Sequence, residues 1–168
     1  MDKPTVYLDT NIISAYWYEG KDIGAAARRL HTREWWNMER EHFSVNVSVT
    51  TLNELRAGSF RRQADCLKLA RALPRLTMTR KAKHVLDELL KARLIPETKP
   101  GDALQMAVSA AHQVDYLLTW NYAHLANPIA QDRLEVICRS LHLRAPLLVS
   151  PETIPQVRFG QTIRRRRP

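Results

Sequence analysis

Short apolar runs alternate with helical segments along this 168-residue chain, and that alternation leaves few folds open to it. TVYLD (residues 5–9), HFSVNVSV (42–49), DYLLTW (115–120) and PLLVS (146–150) carry the β-branched and aromatic residues of buried strands, and RLTM (75–78) is a weaker candidate. Helical patterns fill the intervals: 10–20, 22–41, 51–57, 61–73, 81–94, 102–113 and 132–143. Strands joined through helices run parallel, so the class is α/β with a mainly parallel sheet. No internal repeat interrupts the pattern, and residues 1–150 read as one domain followed by a basic tail at 151–168.

The apolar fraction of 45% suits a globular core, but the formal charge of +9 is unusual and favours an acidic partner, nucleic acid being the commonest. Arg158 and the run Arg164, Arg165, Arg166 and Arg167 concentrate part of that charge in the tail, against the single acid Glu152. Cys66 and Cys138 lack paired spacing, which argues against a disulfide scaffold or a zinc site, and the six histidines show no ligand spacing. No apolar run approaches a membrane span and no secretory signal opens the chain, so the expected location is the cytoplasm.

In a parallel α/β sheet, function gathers where strands end and the following helices begin. Asp9 closes the first strand, Glu54 stands in the first turn of the helix after the second, and Asp102 opens the helix that leads into DYLLTW. Asn121 follows that strand. The chain from residue 93 to 100 spans about 26 Å when extended, enough to return Asp102 to the same edge. Asp115 precedes its strand and belongs on the opposite edge. Each residue also has a purely structural reading. Asp9 can cap the next helix, Thr51-Leu52-Asn53-Glu54 matches a capping box, and Asp102 suits a helix dipole. Their conjunction is harder to explain that way, because clustered carboxylates repel unless a cation joins them. Oxygen donors without a nearby Cys or His pair favour Mg²⁺ or Mn²⁺, which can activate water against a phosphodiester.

LDTN at residues 8–11, TLNEL around Glu54, GDALQMAVSAAHQVDYLLTWN and the trailing AHLANP together resemble the PIN-domain ribonucleases, most nearly the VapC-like toxins of type II toxin–antitoxin pairs. The resemblance runs in order from residue 6 to 150. It implies a three-layer α/β/α sandwich and a Mg²⁺- or Mn²⁺-dependent endoribonuclease that hydrolyses RNA through metal-activated water. It also implies a homodimer held silent by a cognate antitoxin. Carried over residue by residue, it makes Asp9, Glu54 and Asp102 the metal-binding acids, Asn11 the residue orienting the first acid, and Thr119 a supporting hydroxyl. Asn121 stands where many members have a fourth Asp, which leaves one tight metal as the expectation and a catalytically weak or inactive RNA-binding module as the alternative.

Trp120, beside the site, is either a stacking platform for an unpaired base or a packing residue. Trp17, Trp35 and Trp36 crowd the first two helices as core or as a partner groove. The arginine run can hold RNA phosphates, meet an acidic antitoxin segment, or stay solvated. Two other classes fail on composition. A phospho-accepting receiver needs a lysine ending its last strand, where this chain has PLLVSP, and an aspartyl phosphatase needs Asp where it has Asn11.

Overall fold

The structure, a computed structural model, describes residues 3–96 and 99–161. Five strands and seven α-helices follow in the order β1 (Thr5–Leu8), α1 (Thr10–Tyr16), α2 (Ile23–Met38), β2 (Ser44–Ser48), α3 (Val49–Ala57), α4 (Gln63–Arg71), β3 (Arg75–Leu76), α5 (Arg80–Lys91), α6 (Pro100–Ala111), β4 (Tyr116–Leu118), α7 (Pro128–Ser140) and β5 (Leu147–Val149). The sheet order is β3-β2-β1-β4-β5 and every pairing is parallel. The expected α/β class is therefore the observed one. The order reverses between β1 and β4, so the crevice at their carboxyl ends is the topological switch point at which open α/β sheets bind ligands.

Strand alternation divides the apolar residues between two cores. Val6 and Leu8 of β1 join Val45, Val47, Tyr116 and Leu118 on one face, where α1 to α4 contribute Ile12, Ile13, Trp35, Leu52, Leu55, Cys66 and Ala70. Tyr7 and Leu117 face the other side, against Val85, Leu89, Met106, Leu134 and Cys138 of α5 to α7. The result is the α/β/α sandwich. Trp35 is wholly buried in the first core, and Trp17 and Trp36 pack against it from partly buried positions.

Several boundaries differ from the sequence reading for local reasons. Helix α3 begins at Val49, two residues early, because Ser48 caps it by accepting the Thr50 N–H. Helix α6 begins at Pro100, whose fixed φ suits a first helical position. The expected tail boundary at residue 150 falls inside packed structure. Ile154 is buried, and the fully buried Glu39 accepts the Val157 and Arg158 N–H groups at 2.7 and 3.1 Å, tying this segment to the end of α2. At the opposite edge of the sheet from the switch point, Asp115 accepts the Thr5 N–H and hydroxyl at 2.7 and 2.8 Å and pairs with Arg144 at 2.7 Å. Burial pushes the Asp115 carboxyl up, but these three donors outweigh it and hold the group below its ordinary value.

Candidate active site

Asp9 follows the last residue of β1 and stands at the N-cap position of α1, yet its side chain makes no capping bond. Its Oδ2 instead accepts Asn11 Nδ2 at 2.6 Å and the Thr119 hydroxyl at 2.5 Å. Asn11 Nδ2 also reaches Thr119 Oγ1 at 3.1 Å, while Asn11 Oδ1 accepts the Trp120 N–H at 2.9 Å. The ends of β1 and β4 are thus stitched together around one carboxylate, which is 3% exposed.

Glu54 lies in the second turn of α3, not the first, since the helix starts at Val49. The capping box is made by Ser48 and Thr51, so the capping role open to Glu54 in the sequence is taken by other residues. Its Oε2 accepts the Thr10 hydroxyl and, at 3.1 Å, Gln105 Nε2. Gly101 leaves room for this arrangement: a Cβ there would collide with Glu54 Oε1. Asp102, in the first turn of α6, accepts Asn121 Nδ2 at 2.9 Å. The Asn121 oxygen is turned away and accepts the His124 N–H at 3.1 Å. Asn121 therefore presents a donor to Asp102 and not the free acceptor that its place in the sequence suggests.

The three acids line one cavity of about 400 Å³ with Thr10, Asn11, Gln105 and Trp120. Desolvation raises the Asp9 carboxyl from 3.8 to about 6; the Thr119 and Gln105 hydrogen bonds oppose the rise, and the charges of Glu54 and Asp102 add to it. Burial also raises Glu54, against the Thr10 bond and with the charge of Asp102. Asp102 is raised by burial too, with Asn121, His124 and Lys99 pulling it down. The ion pairs of the described residues lie elsewhere, among them Arg62 with Glu19 and Asp65, Arg144 with Asp115, and Arg158 with Glu34 and Glu39. None of the three acids takes part in one.

As placed, no three His, Cys, Asp or Glu side chains among the described residues are grouped closely enough to hold a metal ion. Hydrogen bonds to Asn121, Thr10 and Gln105 hold Asp102 and Glu54 instead. The donor chemistry nonetheless fits a hard divalent cation: three carboxylates without a paired cation, and beside them the buried Gln105 Oε1, which has no hydrogen-bond partner.

The structure thus brings together Asp9, Glu54, Asp102, Asn11, Thr119 and Asn121. Trp120 lines the cavity but packs in the first core, 5% exposed, with its Nε1 donating to Thr32 Oγ1 at 2.8 Å, which is the packing alternative of the two open to it. Arg164, Arg165, Arg166 and Arg167 lie outside the described residues. Sequence reasoning missed Thr10, Gly101, Gln105 and Arg28, all on or against the cavity. Gln105, three residues after Asp102 and on the same helix face, could have been found by spacing.

The fold and site define a parallel α/β/α domain with an acidic cavity at its switch point. A PIN domain family model matches residues 5–123, and the chain belongs to the PIN domain family. No curated protein sequence matches the chain. Among solved structures, VapBC2 from Rickettsia felis bound to a DNA fragment from its promoter is similar at 16% identity, over 87% of this chain and 98% of that one, with a TM-score of 0.49. VapBC-5 from Mycobacterium tuberculosis, a member of the VapBC family of toxin–antitoxin systems, is similar at 17% identity over 75% and 94% of the two chains, with a TM-score of 0.48.

Proposed function

We propose that this protein is a Mg²⁺- or Mn²⁺-dependent endoribonuclease, the toxin of a toxin–antitoxin pair. The observation that carries the reading is the convergence of Asp9, Glu54 and Asp102 on one cavity, each with its carboxyl raised and none ion-paired. Family membership and the LDTN and GDALQMA motifs supply the nuclease class.

Asp9, Glu54 and Asp102 are the residues that would hold the cation. A Mg²⁺ or Mn²⁺ there would supply an activated water and offset the negative charge that builds on the phosphodiester. The protein's own part is positioning. Asn11 and Thr119 fix the Asp9 carboxylate, Thr10 and Gln105 fix Glu54, and Asn121 fixes Asp102 through its amide NH₂. Because the Asn121 oxygen is committed to His124, one metal is the stoichiometry this reading favours. The formal charge of +9 suits a polyanionic substrate. In this reading the arginines at 164–167 add phosphate contacts, and the protein acts as a cytoplasmic homodimer restrained by its antitoxin. Among the described residues no helix is long and apolar enough to cross a membrane.

The test is incubation of total RNA with purified protein in Mn²⁺, Mg²⁺ or EDTA, beside Asp9→Asn prepared identically. Cutting at discrete sites that requires metal and is lost in the variant supports the assignment. Equal cutting by both proteins removes Asp9 from the site, and RNA binding without cutting in any metal favours the inactive binding module.

A further inference from the structure

Helix α2 carries three arginines, Arg28, Arg29 and Arg33, and the structure uses them differently. Arg29 Nη1 donates to the Tyr18 carbonyl at 3.1 Å, and Arg33 Nε donates to the Tyr16 carbonyl at 2.9 Å, so both close the C-terminal end of α1. Arg28 does neither. It is exposed, and its guanidinium makes no hydrogen bond or ion pair among the described residues, its charge acting instead on the Tyr122 hydroxyl. With Ala25, one helical turn before it, it lines the same cavity as Asp9, Glu54 and Asp102, and among the described residues it is the only Lys or Arg that does.

Arg28 shares a cavity with three carboxylates and is ion-paired with none of them. It comes, like Glu54 of α3, from the α1–α4 layer, whereas Asp102 and Gln105 come from α6 in the opposite layer. We propose that Arg28 is the phosphate-binding residue of this site, gripping the substrate backbone from the rim of the cavity opposite α6. The inference rests on the nuclease reading above and adds a substrate contact to it.

Charge supports the assignment. Three carboxylates around one divalent cation keep a net negative charge, and each phosphodiester that enters adds another. A cation lining the same cavity offsets that repulsion at the point where the backbone must approach. Guanidinium suits the task because its planar fork matches two phosphate oxygens at once and it stays charged at every working pH. It also explains why Arg28 makes no ion pair on a helix whose Arg29 and Arg33 are tied to carbonyls.

The experiment measures binding of a short, mixed-sequence, nuclease-resistant 2′-O-methyl phosphorothioate oligonucleotide in Mn²⁺, by fluorescence anisotropy, from about 50 to 200 mM salt, over which phosphate contacts weaken measurably. Loss of one phosphate contact on a single strand flattens the slope of log K against log salt by about 0.7. Arg28→Ala is expected to show that flattening with weaker binding at the lowest salt, and Arg28→Lys to restore the slope. Arg71→Ala, an exposed position in the last turn of α4, is expected to match the wild type. An unchanged slope in Arg28→Ala, or an equal loss in Arg71→Ala, overturns the assignment while leaving the nuclease reading intact. A wild-type protein that binds no oligonucleotide and cuts no RNA overturns that reading, and the inference with it.

Discussion

Replacing Asp9 with Asn should stabilise the metal-free protein. Asp9 is 3% exposed, and its carboxyl is raised from 3.8 to about 6, chiefly by burial and further by Glu54 and Asp102. At about 1.36 kcal/mol per pH unit, the ionised group costs the folded state about 3 kcal/mol at any pH above both values. Asparagine cannot ionise, so the variant escapes that cost. Its amide oxygen still accepts from Asn11 and Thr119, and losing the charge assistance of those two bonds, at about 1 kcal/mol apiece, leaves a net gain of about 1 kcal/mol. The sign with pH follows directly. The folded protein holds this proton more tightly than the unfolded chain, so wild-type stability climbs as pH falls from about 6 towards 3.8, and the variant's advantage fades over the same range. Urea unfolding in EDTA at pH 7.5 should place the variant's midpoint about 0.3–1 M higher, given urea slopes of about 1–3 kcal/mol per molar. Adding Mn²⁺ should raise the wild type and leave the variant nearly unmoved, reversing their order. A wild type as stable as Asp9→Asn at pH 7.5 in EDTA, or a gap that persists at pH 4, would refute the reasoning.

Other substitutions test separate parts of the site. Gly101→Ala places a methyl group against the Glu54 carboxylate, so RNA cleavage should fall sharply while urea unfolding shows a far smaller change. Gln105→Leu removes the donor to Glu54 and the unpartnered buried oxygen beside it. Mn²⁺ affinity measured by calorimetry should drop about 10-fold, as is usual when an outer-shell partner is lost. Asp115→Ala, at the opposite edge, takes away the partner of Arg144 and of the Thr5 N–H and hydroxyl. It should cost about 3 kcal/mol in urea unfolding without altering the RNA cut sites of the folded fraction.

The sheet was legible because buried parallel strands advertise themselves as apolar runs between helices, and the edge rule then placed four site residues that lie far apart in sequence. Helix starts were harder to place. Val49 continues the alternation of Val45 and Val47 and reads as strand, and TLNE matches a capping box outright. Tertiary contacts decide otherwise. The Tyr7 hydroxyl lies 2.7 Å from Ser48 Oγ and 3.2 Å from Thr51 Oγ1, anchoring both members of the true box beneath the helix start. Trp120 was ambiguous for a similar reason: its partner, Thr32, is 88 residues away on a helix whose path over the rim no local pattern reveals. Arg28 was hidden by the same blind spot.

The shift of α3 by two residues also changes how the acids are weighed. In sequence, each carboxylate had an adequate structural role, and only their number argued for more. In the structure two of those roles are vacant: Asp9 sits at a cap position without capping, and Glu54 is displaced from the box that would have employed it. Both pay for burial in raised carboxyls, with hydroxyl and amide donors as their only offset. Asp115 supplies the internal comparison, a buried acid in the same sheet that is fully served by Thr5 and Arg144 and whose carboxyl is held low. The fold is therefore able to satisfy a buried aspartate, and does so at the edge where nothing is expected to bind. At the switch point it leaves three acids without an ion-pair partner among the described residues and builds a frame of Asn11, Thr119, Gln105 and Asn121 to hold them there. That contrast within one sheet supports the proposed metal-dependent reading over a purely structural set of acids.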